Sequence, residues 1–354
     1  MDFFTDLWNY IKVNIFGFKP EAKPAKSSTA KKPLFNGINN TGRKNEIKIV
    51  NDITDEQIQA NEVRSKYISV VKNPDYKVKR GDNISAIAKK YKVEERSLLA
   101  LNGLDKALAR KIQPGQISKI PPSRRVKNVR TLNDVAKSMG VSLDFVKRLK
   151  HIEDNWNLPA NKFHNTPYND DTGVPTIGIG HVLKPGDPKK LTDAQVCELC
   201  ANDLLRMEEN LCVLLGGKQK YDKLPQGLKE ALLDMTFNKG TEIIEKTPGL
   251  LYCLKTGKYE AAINKFTNNR SATTGEAMAG LSKRRLFDIS LAVKMYKGKI
   301  PQSNLNTAQQ VYNDGIKLLR EECKEEGKNF QDQLVGFNKD VQSYFGNKIK
   351  LITK

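Results

Sequence analysis

Three residues that could perform acid–base chemistry lie in the middle of the chain, in the order glutamate, aspartate, threonine. Glu153 ends a segment with helical character, and Asp170 and Thr176 lie in a glycine-rich stretch that closes with His181. Cleaving a glycosidic bond requires an acid that protonates the departing oxygen and a second group that directs water at the anomeric carbon. A helical glutamate followed by an aspartate and a threonine on a hairpin is therefore typical of a carbohydrate-cleaving site.

Each of the three residues has an expected role in that chemistry. Leu149 and Ile152 precede Glu153 on its helix and can form an apolar pocket around it. Desolvation there would raise the pKa of the carboxyl and keep it protonated, so Glu153 is the expected proton donor, with a plain surface position as the alternative. Asp170 is expected to steer water and to stabilise positive charge on the sugar, and Thr176 to hold the water through its hydroxyl.

The overall composition indicates a soluble, basic protein of more than one domain. The chain has 354 residues, of which 38% are hydrophobic and 28% are charged, so two or three domains with real cores are expected. The net charge of +20 predicts attraction to polyanions, which makes nucleic acid, an acidic membrane and an anionic bacterial wall eligible partners. No apolar run is long enough to span a bilayer, and the acidic N-terminus does not resemble an ordinary secretory signal.

The cysteines and histidines do not form a pattern that would hold a metal. Five cysteines are spread thinly along the chain, so no disulfide framework is implied. Cys197 and Cys200 lie just inside a helix that is predicted to begin with a capping box of Thr192 and Gln195, and we expect them to be buried free thiols. The chemistry proposed for the carboxylates also needs no metal or organic cofactor, and none is expected.

The first part of the chain combines a short helix with a long tether. Residues 1–17 place large apolar side chains on one side at helical spacing, which predicts an amphipathic helix. Residues 18–75 are assigned to a linker, because their first thirty residues or so are rich in Lys, Pro, Ala and Ser. A helix on a tether favours docking on a partner; binding to a membrane surface and packing on the rest of the chain are the alternatives.

Residues 76–121 read as a strand, two helices and a second strand. This β-α-α-β pattern resembles the LysM module. The residues that carry the resemblance are Tyr76, Val78, Gly81, Asp82, Ile84, Ile87, Ala88, Val93, Leu98, Asn102, Ile112, Pro114, Gly115, Gln116, Ile120 and Pro121.

The LysM resemblance implies binding of glycans that contain N-acetylglucosamine, including peptidoglycan. In that family the sugar lies between two loops, which correspond here to residues 81–84 and 112–115. The expected binding residues are Gly81, Asp82, Asn83, Ile84, Pro114 and Gly115. Glycine turns allow backbone amides and carbonyls to reach acetamide groups, although these residues could also serve only to form the turns.

Residues 142–300 resemble the phage-type lysozymes, the muramidases of glycoside hydrolase family 24. Beyond the stretch that ends at His181, the resemblance includes the segment 226–240, read as a central buried helix, and the Gly-Leu-x-x-Arg-Arg helix at 280–288. The resemblance implies the roles already given to the three site residues and inversion of the anomeric configuration. Asn238 is a candidate for contacting sugar. His181 is expected to be a structural histidine paired with an aspartate.

Some details of the lysozyme resemblance stay open. The interval between Glu153 and Asp170 is longer than in the family, which suggests a lengthened loop and leaves Asp171 as an alternative to Asp170. Either Arg284 or Arg285 is a candidate ion-pair partner near the acid, with a helix surface position as the alternative. Residues 177–180 alternate isoleucine with glycine, which predicts a strand that ends at His181.

Two segments flank the predicted catalytic domain. Residues 122–141 form a connector that partly repeats the pattern of the LysM helix, so it is either a degenerate second LysM half or a helical lead-in. A helix-turn-helix is a weaker alternative, because no recognition helix is evident, and nucleic acid is not an expected partner. Residues 301–354 form a helical extension that packs either on the catalytic domain or on a partner.

The sequence as a whole predicts an α+β protein: a mainly helical lysozyme-like domain with a small β-hairpin lobe, a βααβ LysM domain and helical extensions. The expected protein is a phage-encoded muramidase, made in the host cytoplasm and acting on the periplasmic or external cell wall. Its partners would be peptidoglycan and, through the N-terminal helix, a phage structural protein. A lytic transglycosylase and a non-catalytic wall-binding virion protein are the alternatives. Retention of Glu153, Asp170 and Thr176 argues for hydrolysis.

Overall fold

The structure is a computed structural model that describes residues 55–105, 107–153, 158–159, 162–170, 173–271 and 274–353. The predicted helix over residues 1–17 lies outside the described residues. The chain divides into two units, Met1–Ile58 and Gln59–Lys354, and apart from residues 55–58 the features that follow belong to the second.

The elements up to residue 126 form the small βααβ unit and the segments that lead into and out of it. In chain order they are α1 (Asp55–Ser65), β1 (Ile68–Val71), β2 (Tyr76–Lys77), α2 (Ile84–Tyr91), α3 (Glu95–Leu101), a 3-10 helix (Leu108–Lys111), β3 (Ile117–Ser118) and β4 (Ser123–Val126).

The elements that follow are mainly helical. The first group is α4 (Leu132–Met139), α5 (Leu143–Glu153), β5 (Tyr168–Asn169), β6 (Pro175–Ile177), β7 (His181–Val182), α6 (Asp193–Leu215), α7 (Lys218–Asp222) and α8 (Gln226–Lys239). The second group is α9 (Glu242–Lys246), α10 (Leu250–Lys255), α11 (Tyr259–Ile263), α12 (Ala279–Ala292), a 3-10 helix (Val293–Tyr296), α13 (Gln302–Glu326), α14 (Phe330–Phe345) and a 3-10 helix (Gly346–Lys348).

The βααβ unit has its own hydrophobic core, as its sequence pattern predicts. Strands β2 and β3 pair antiparallel, with Tyr76 opposite Ser118. Helix α2 begins where the Asn83 side chain accepts a hydrogen bond from the backbone N–H of Ala86. The buried residues of this core are Tyr76, Val78, Ile84, Ile87, Ala88, Leu98, Leu99 and Ile120.

The chain enters and leaves the βααβ unit through a two-stranded ribbon. Strands β1 and β4 pair antiparallel, with Ile68 opposite Val126, which lies in the core of the large helical domain. Part of the range assigned to a linker, residues 18–75, is therefore ordered as α1 and β1. The difference arises because their order depends on distant partners: the buried Arg64 side chain donates two hydrogen bonds of 2.9 Å to Glu208, a contact that local sequence does not reveal.

The larger core is formed by helices α4 to α14 together with a three-stranded antiparallel sheet. Strand β6 pairs with β5, Thr176 opposite Tyr168, and with β7, Ile177 opposite His181. Helix α8 is buried at Leu228, Ala231, Leu232, Leu233 and Met235, as expected for a central helix. The connector contributes α4, whose residues Val135, Ala136 and Met139 are buried in this core and not in that of the βααβ unit. The architecture is the predicted α+β fold.

Helices α13 and α14 of the C-terminal extension pack against α12. The backbones of α12 and α13 approach closely at Gly315, where a Cβ would lie 2.9 Å from the Cβ of Ser282. Leu334, Phe337 and Val341 of α14 are buried in the same core. No helix in the described ranges combines the length and the apolar character that a bilayer crossing requires.

Candidate active site

The predicted acid, Glu153, lies at the end of α5 and against the turn between β6 and β7. A Cβ added to Gly180 would lie 2.7 Å from Glu153 Oε2 and 3.1 Å from Cε1 of Phe237. Gly180 also has a φ of 65°, in the left-handed region that side chains disfavour. The missing side chain therefore leaves the space that the carboxylate occupies.

An arginine holds the carboxylate on its other side. Arg284 Nη1 lies 2.6 Å from Glu153 Oε1. The same guanidinium donates two hydrogen bonds, of 2.7 and 3.1 Å, to Asp234, whose side chain is fully buried. Of the two arginines that the sequence leaves open, Arg284 is thus the one that pairs with the acid.

The surroundings of Glu153 differ from the apolar pocket that its helix predicts. Leu149 is fully buried and Ile152 half-buried, as expected, but the carboxylate itself meets Arg284. The reason is that Arg284 comes from α12, more than a hundred residues later in the chain, and only tertiary packing brings it to the acid. The setting of Glu153 is therefore an ion pair beside apolar residues.

The neighbouring Arg285 belongs to a second buried ion pair. Its Nε lies 3.0 Å from Asp288 Oδ2, and both side chains are fully buried. Burial raises the pKa of Asp288 well above its usual value, against the opposing charge of Arg285. Arg285 also donates a long hydrogen bond of 3.5 Å to the Asn238 amide oxygen. Asn238, the candidate sugar contact, is half-buried at the end of α8.

The hairpin brings the other two predicted residues to the same part of the domain. Asp170 lies in the turn that follows β5, and its Oδ1 accepts a hydrogen bond of 2.8 Å from the backbone N–H of Val174. Thr176 is 3% exposed on β6, and its hydroxyl donates to the Val174 carbonyl oxygen. Opposite Thr176, Tyr168 donates its hydroxyl hydrogen to the Glu153 carbonyl oxygen at 3.1 Å, which ties the hairpin to the end of α5. Asp171 lies outside the described residues.

The Gly-Ile-Gly stretch is a turn, so the prediction of a strand over residues 177–180 is wrong. Strand β6 ends at Ile177, and β7 begins at His181 rather than ending there. Gly178 and Gly180 both have a φ of 65°, which reverses the chain between the two strands. Alternation of glycine with isoleucine mimics a strand pattern, but it also supplies the two left-handed positions that a tight connection needs.

His181 is paired with an aspartate, as expected. Its Nδ1 lies 2.7 Å from Asp203 Oδ2 on α6, and its Nε2 lies 3.3 Å from Asp187 Oδ2. Burial alone would lower the pKa of His181, but the hydrogen bonds and charges of Asp203 and Asp187 outweigh it, so the pKa is raised. The histidine therefore fastens the hairpin to the long helix α6.

The βααβ unit uses several of its predicted binding side chains to hold its own loop. Asp82 Oδ2 accepts hydrogen bonds from the Tyr76 hydroxyl at 2.8 Å and from the backbone N–H of Lys79 at 2.7 Å. Asn83 caps α2, and Ile84 is 3% exposed in the core. These three side chains shape the loop.

The glycine turns of both loops are exposed. Gly81 and Gly115 have φ values of 87° and 89°, and a Cβ at either would meet nothing within 4 Å. Pro114 and Gly115 are exposed.

The cysteines, which all lie in the described part of the chain, are buried thiols. Burial raises the pKa of Cys197 to about 11 and that of Cys212 to about 12, so both thiols stay protonated and unreactive. The capping box of Thr192 and Gln195 is present as predicted. Within the described residues, no group of three or more His, Cys, Asp or Glu side chains could hold a metal ion.

Sequence reasoning missed Asp234, Tyr168 and Gly180 as parts of this site. Asp234 carried a usable signal, because it stands in the run Leu-Leu-Asp-Met of a helix predicted to be buried. A charged residue in such a position requires an oppositely charged partner. Tyr168 carried none, because its contact to Glu153 depends on how the hairpin folds back on α5. The glycines that alternate with isoleucine indicated close approach at Gly180, but not which group approaches.

Comparison with known protein families gives two matches. Residues 76–121 match the LysM domain, and residues 160–287 match the phage lysozyme family. The second match contains Asp170, Thr176 and Arg284 but begins after Glu153. The chain thus combines a LysM domain with a phage lysozyme domain, and it is an enzyme of the lysozyme class, which hydrolyses peptidoglycan.

Two solved structures match part of the chain. One is "Crystal structure of active form of P1 phage endolysin Lyz", with 17% identity and a TM-score of 0.39; the match covers 48% of this chain and 98% of that one. The other is "Muramidase domain of SpmX from Asticaccaulis excentricus", with 22% identity and a TM-score of 0.34, covering 43% of this chain and 97% of that one. No curated protein matches the chain.

Proposed function

We propose that the protein hydrolyses the β-1,4 bond between N-acetylmuramic acid and N-acetylglucosamine in bacterial peptidoglycan, with Glu153 as proton donor. The observation that carries the proposal is the position of the Glu153 carboxylate in the structure. It lies between Arg284, at 2.6 Å, and the space left by Gly180, next to the hairpin that bears Asp170 and Thr176. Glycoside hydrolysis requires an acid that protonates the departing oxygen and a second group that directs water, and Asp170 and Thr176 are the residues proposed for the second role.

The proposed reaction has one displacement and inverts the anomeric carbon. Glu153, which must first take up a proton in place of its ion pair with Arg284, gives that proton to the departing sugar oxygen while a water molecule attacks the anomeric carbon from the opposite face. Asp170 takes the proton of that water and stabilises the positive charge that develops on the sugar. The Thr176 oxygen accepts a hydrogen bond from the water, since its own hydrogen is donated to Val174. Arg284 then stabilises the negative charge left on Glu153.

In this proposal the LysM domain holds the enzyme on its polymeric substrate. Contacts near Gly81 and Gly115 would bind the acetamide groups of the glycan through backbone amides and carbonyls. Binding of one domain raises the local concentration of substrate at the other, even when each contact is weak. The net charge of +20 adds non-specific attraction to an anionic wall.

The proposed setting is a bacteriophage infection. The protein would be encoded by the phage, made in the host cytoplasm and used on the periplasmic or external wall, either as a virion component or as a late lysis enzyme. A docking helix over residues 1–17 would bind a phage structural protein in the first case.

Product analysis tests the proposed reaction. Purified peptidoglycan is digested, and the released fragments are examined by mass spectrometry and, immediately after cleavage, by NMR. We expect N-acetylmuramic acid at new reducing ends, first formed as the α-anomer. Fragments lighter by one water, with an anhydro sugar, would instead identify a lytic transglycosylase. Absence of released fragments, with the protein still bound to the wall, would identify a non-catalytic binding protein.

A further inference from the structure

The two helices that carry Glu153 and Arg284 are held by one carboxylate of the C-terminal extension. Asp340 of α14 accepts a hydrogen bond of 3.1 Å from Arg148 Nη2, and its other oxygen lies 2.9 Å from Lys283 Nζ. Arg148 is five residues before Glu153 on α5, and Lys283 directly precedes Arg284 on α12. Asp340 thus connects the backbone segments of both members of the proposed catalytic pair.

Tyr344, one helical turn after Asp340, adds a second contact to the same arginine. Its hydroxyl accepts a hydrogen bond from Arg148 Nη2. Its ring lies beneath the guanidinium, 4.7 Å from the ring centre to the Arg148 Cζ, and packs on Phe287 of α12 at 5.6 Å. With its side chain 20% exposed, Arg148 is therefore fixed by a carboxylate, a hydroxyl and an aromatic face.

The C-terminal extension is itself packed into the main core, so it can hold α5 and α12 in position. Phe337 and Val341 of α14 are buried in the main core. Glu322 of α13 accepts a hydrogen bond of 2.8 Å from the backbone N–H of Ala279, the first residue of α12. Because Met278 provides no side-chain cap, Glu322 satisfies one of the amide groups that begin α12.

We propose that Asp340 and Tyr344 are positioning residues for the catalytic reaction, which set the separation of Glu153 and Arg284 from outside the family domain. The inference rests on the proposed function of Glu153. Arg148 and Lys283 carry like charges, and Asp340 bridges the two. Loss of this bridge would leave the Glu153–Arg284 contact but let α5 and α12 shift locally, and a displacement of about 1 Å at reacting groups can cost about 100-fold in rate.

The test compares three variants of the full chain on purified peptidoglycan. Asp340→Asn removes the charge, Tyr344→Phe removes only the hydroxyl, and Asp332→Asn makes the same chemical change at an exposed site of α14. We expect Asp340→Asn to lower kcat by about tenfold or more, with KM changed by less than about twofold, because ground-state binding is untouched. Tyr344→Phe should lower kcat by a smaller factor, Asp340→Glu should recover part of the loss, and Asp332→Asn should match the parent.

Folded fraction is measured by circular dichroism, and kcat is given per folded molecule well below the melting temperature. If Asp340→Asn lowers the melting temperature but leaves kcat at the parent value, the residue is structural and the inference is wrong. If Asp340→Asn does not fold, Tyr344→Phe decides the question, and a parent-like kcat in that variant would also show that the inference is wrong. Glu153→Gln is assayed alongside: parent-like turnover there, or no turnover in the parent, would overturn the proposed function and the inference together.

Discussion

At the scale of single residues, the site depends on a side chain that is absent. The Glu153 carboxylate occupies the space that a Cβ at position 180 would need, and Arg284 closes on it from the other side. The glycine thus has two separate requirements to meet, a left-handed backbone and room for an acid. These two requirements can be separated by experiment.

Replacement of Gly180 by alanine should impair catalysis more than folding. The new Cβ would be 2.7 Å from Glu153 Oε2, so the carboxylate must move, while the left-handed φ of 65° costs about 1–2 kcal/mol of stability. Gly257→Ala is the matched control, since Gly257 has a φ of 72° and nothing within 4 Å of the new Cβ. We expect similar losses of unfolding free energy, but a fall in kcat of about tenfold or more in Gly180→Ala alone. Equal kcat values in the two variants would contradict this account.

The sequence predicted which residues form the site, but it did not predict most of their contacts. Glu153, Asp170 and Thr176 could be singled out because acid–base chemistry restricts the residue types. The choice between Arg284 and Arg285 could not be made, because adjacent residues on a helix point about 100° apart and the sequence did not fix which side faces α5. Nor could Asp340 be found, since its partners lie on two helices that meet only in the folded chain.

At the scale of secondary structure elements, the hairpin is fastened at both ends. Tyr168 ties it to α5, and the His181–Asp203 ion pair ties it to α6. Tyr168 lies on β5 and faces β6, and His181 lies on β7 directly after the Gly178–Gly180 turn. The position of Asp170 and Thr176 relative to Glu153 therefore depends on these fastenings.

The His181 contact should make stability depend on pH in one direction. Folding raises the pKa of His181 above its usual 6.5, since Asp203 and Asp187 outweigh the effect of burial. The ion pair therefore contributes fully below about pH 6.5, and its contribution is lost as pH rises through the folded pKa. Hydrogen bonds to charged groups contribute about 1.5–3 kcal/mol. Urea unfolding should show His181→Gln less stable than the parent by about this amount at pH 5.5, and by clearly less at pH 9. A difference that does not change with pH would contradict the account.

Helices with strong local patterns were predicted well, and elements held by distant contacts were not. The βααβ unit, the capped helix α6 and the central helix α8 follow from spacing and capping residues within each segment. Helix α1 and strand β1 were wrongly assigned to a linker. Their order comes from the hydrogen bonds of Arg64 to Glu208 and from the pairing of β1 with β4, more than fifty residues later, and local sequence reveals neither. The glycine turn after Ile177 was missed for a local reason. Alternation of isoleucine with glycine is compatible both with a strand and with a turn that has two left-handed glycines.

At the scale of the whole molecule, the LysM domain is inserted into the edge of the catalytic domain. Strands β1 and β4 bring its two ends together. Arg96 of α3 makes two hydrogen bonds, of 2.8 and 2.9 Å, to Glu245 of α9, and Asn210 of α6 donates to Glu94 at 3.1 Å. The LysM domain therefore has a defined place against α6 and α9.

Removing the LysM domain should weaken action on the insoluble wall while sparing the chemistry. Because Val71 faces Ser123 across the ribbon, residues 72–122 can be replaced by Asn-Gly, which favours a tight hairpin of this kind. We expect the wall-bound fraction to fall and the rate at low wall concentration to drop by about tenfold or more. The rate on soluble glycan fragments should stay within about twofold of the parent. Salt of about 0.3 M limits binding through net charge. An unchanged wall-bound fraction would contradict the role of the domain.

The most direct measurement is the release of new reducing ends from purified peptidoglycan by the parent and by Glu153→Gln. The matched control is Glu321→Gln, which makes the same change at an exposed position of α13. The account predicts a loss of about 100-fold or more in Glu153→Gln, because a general acid contributes about 10²–10⁴-fold, and a parent rate in the control. A Glu153→Gln enzyme that still cleaves at nearly the parent rate would contradict the central claim, and the proton donor would then be another residue.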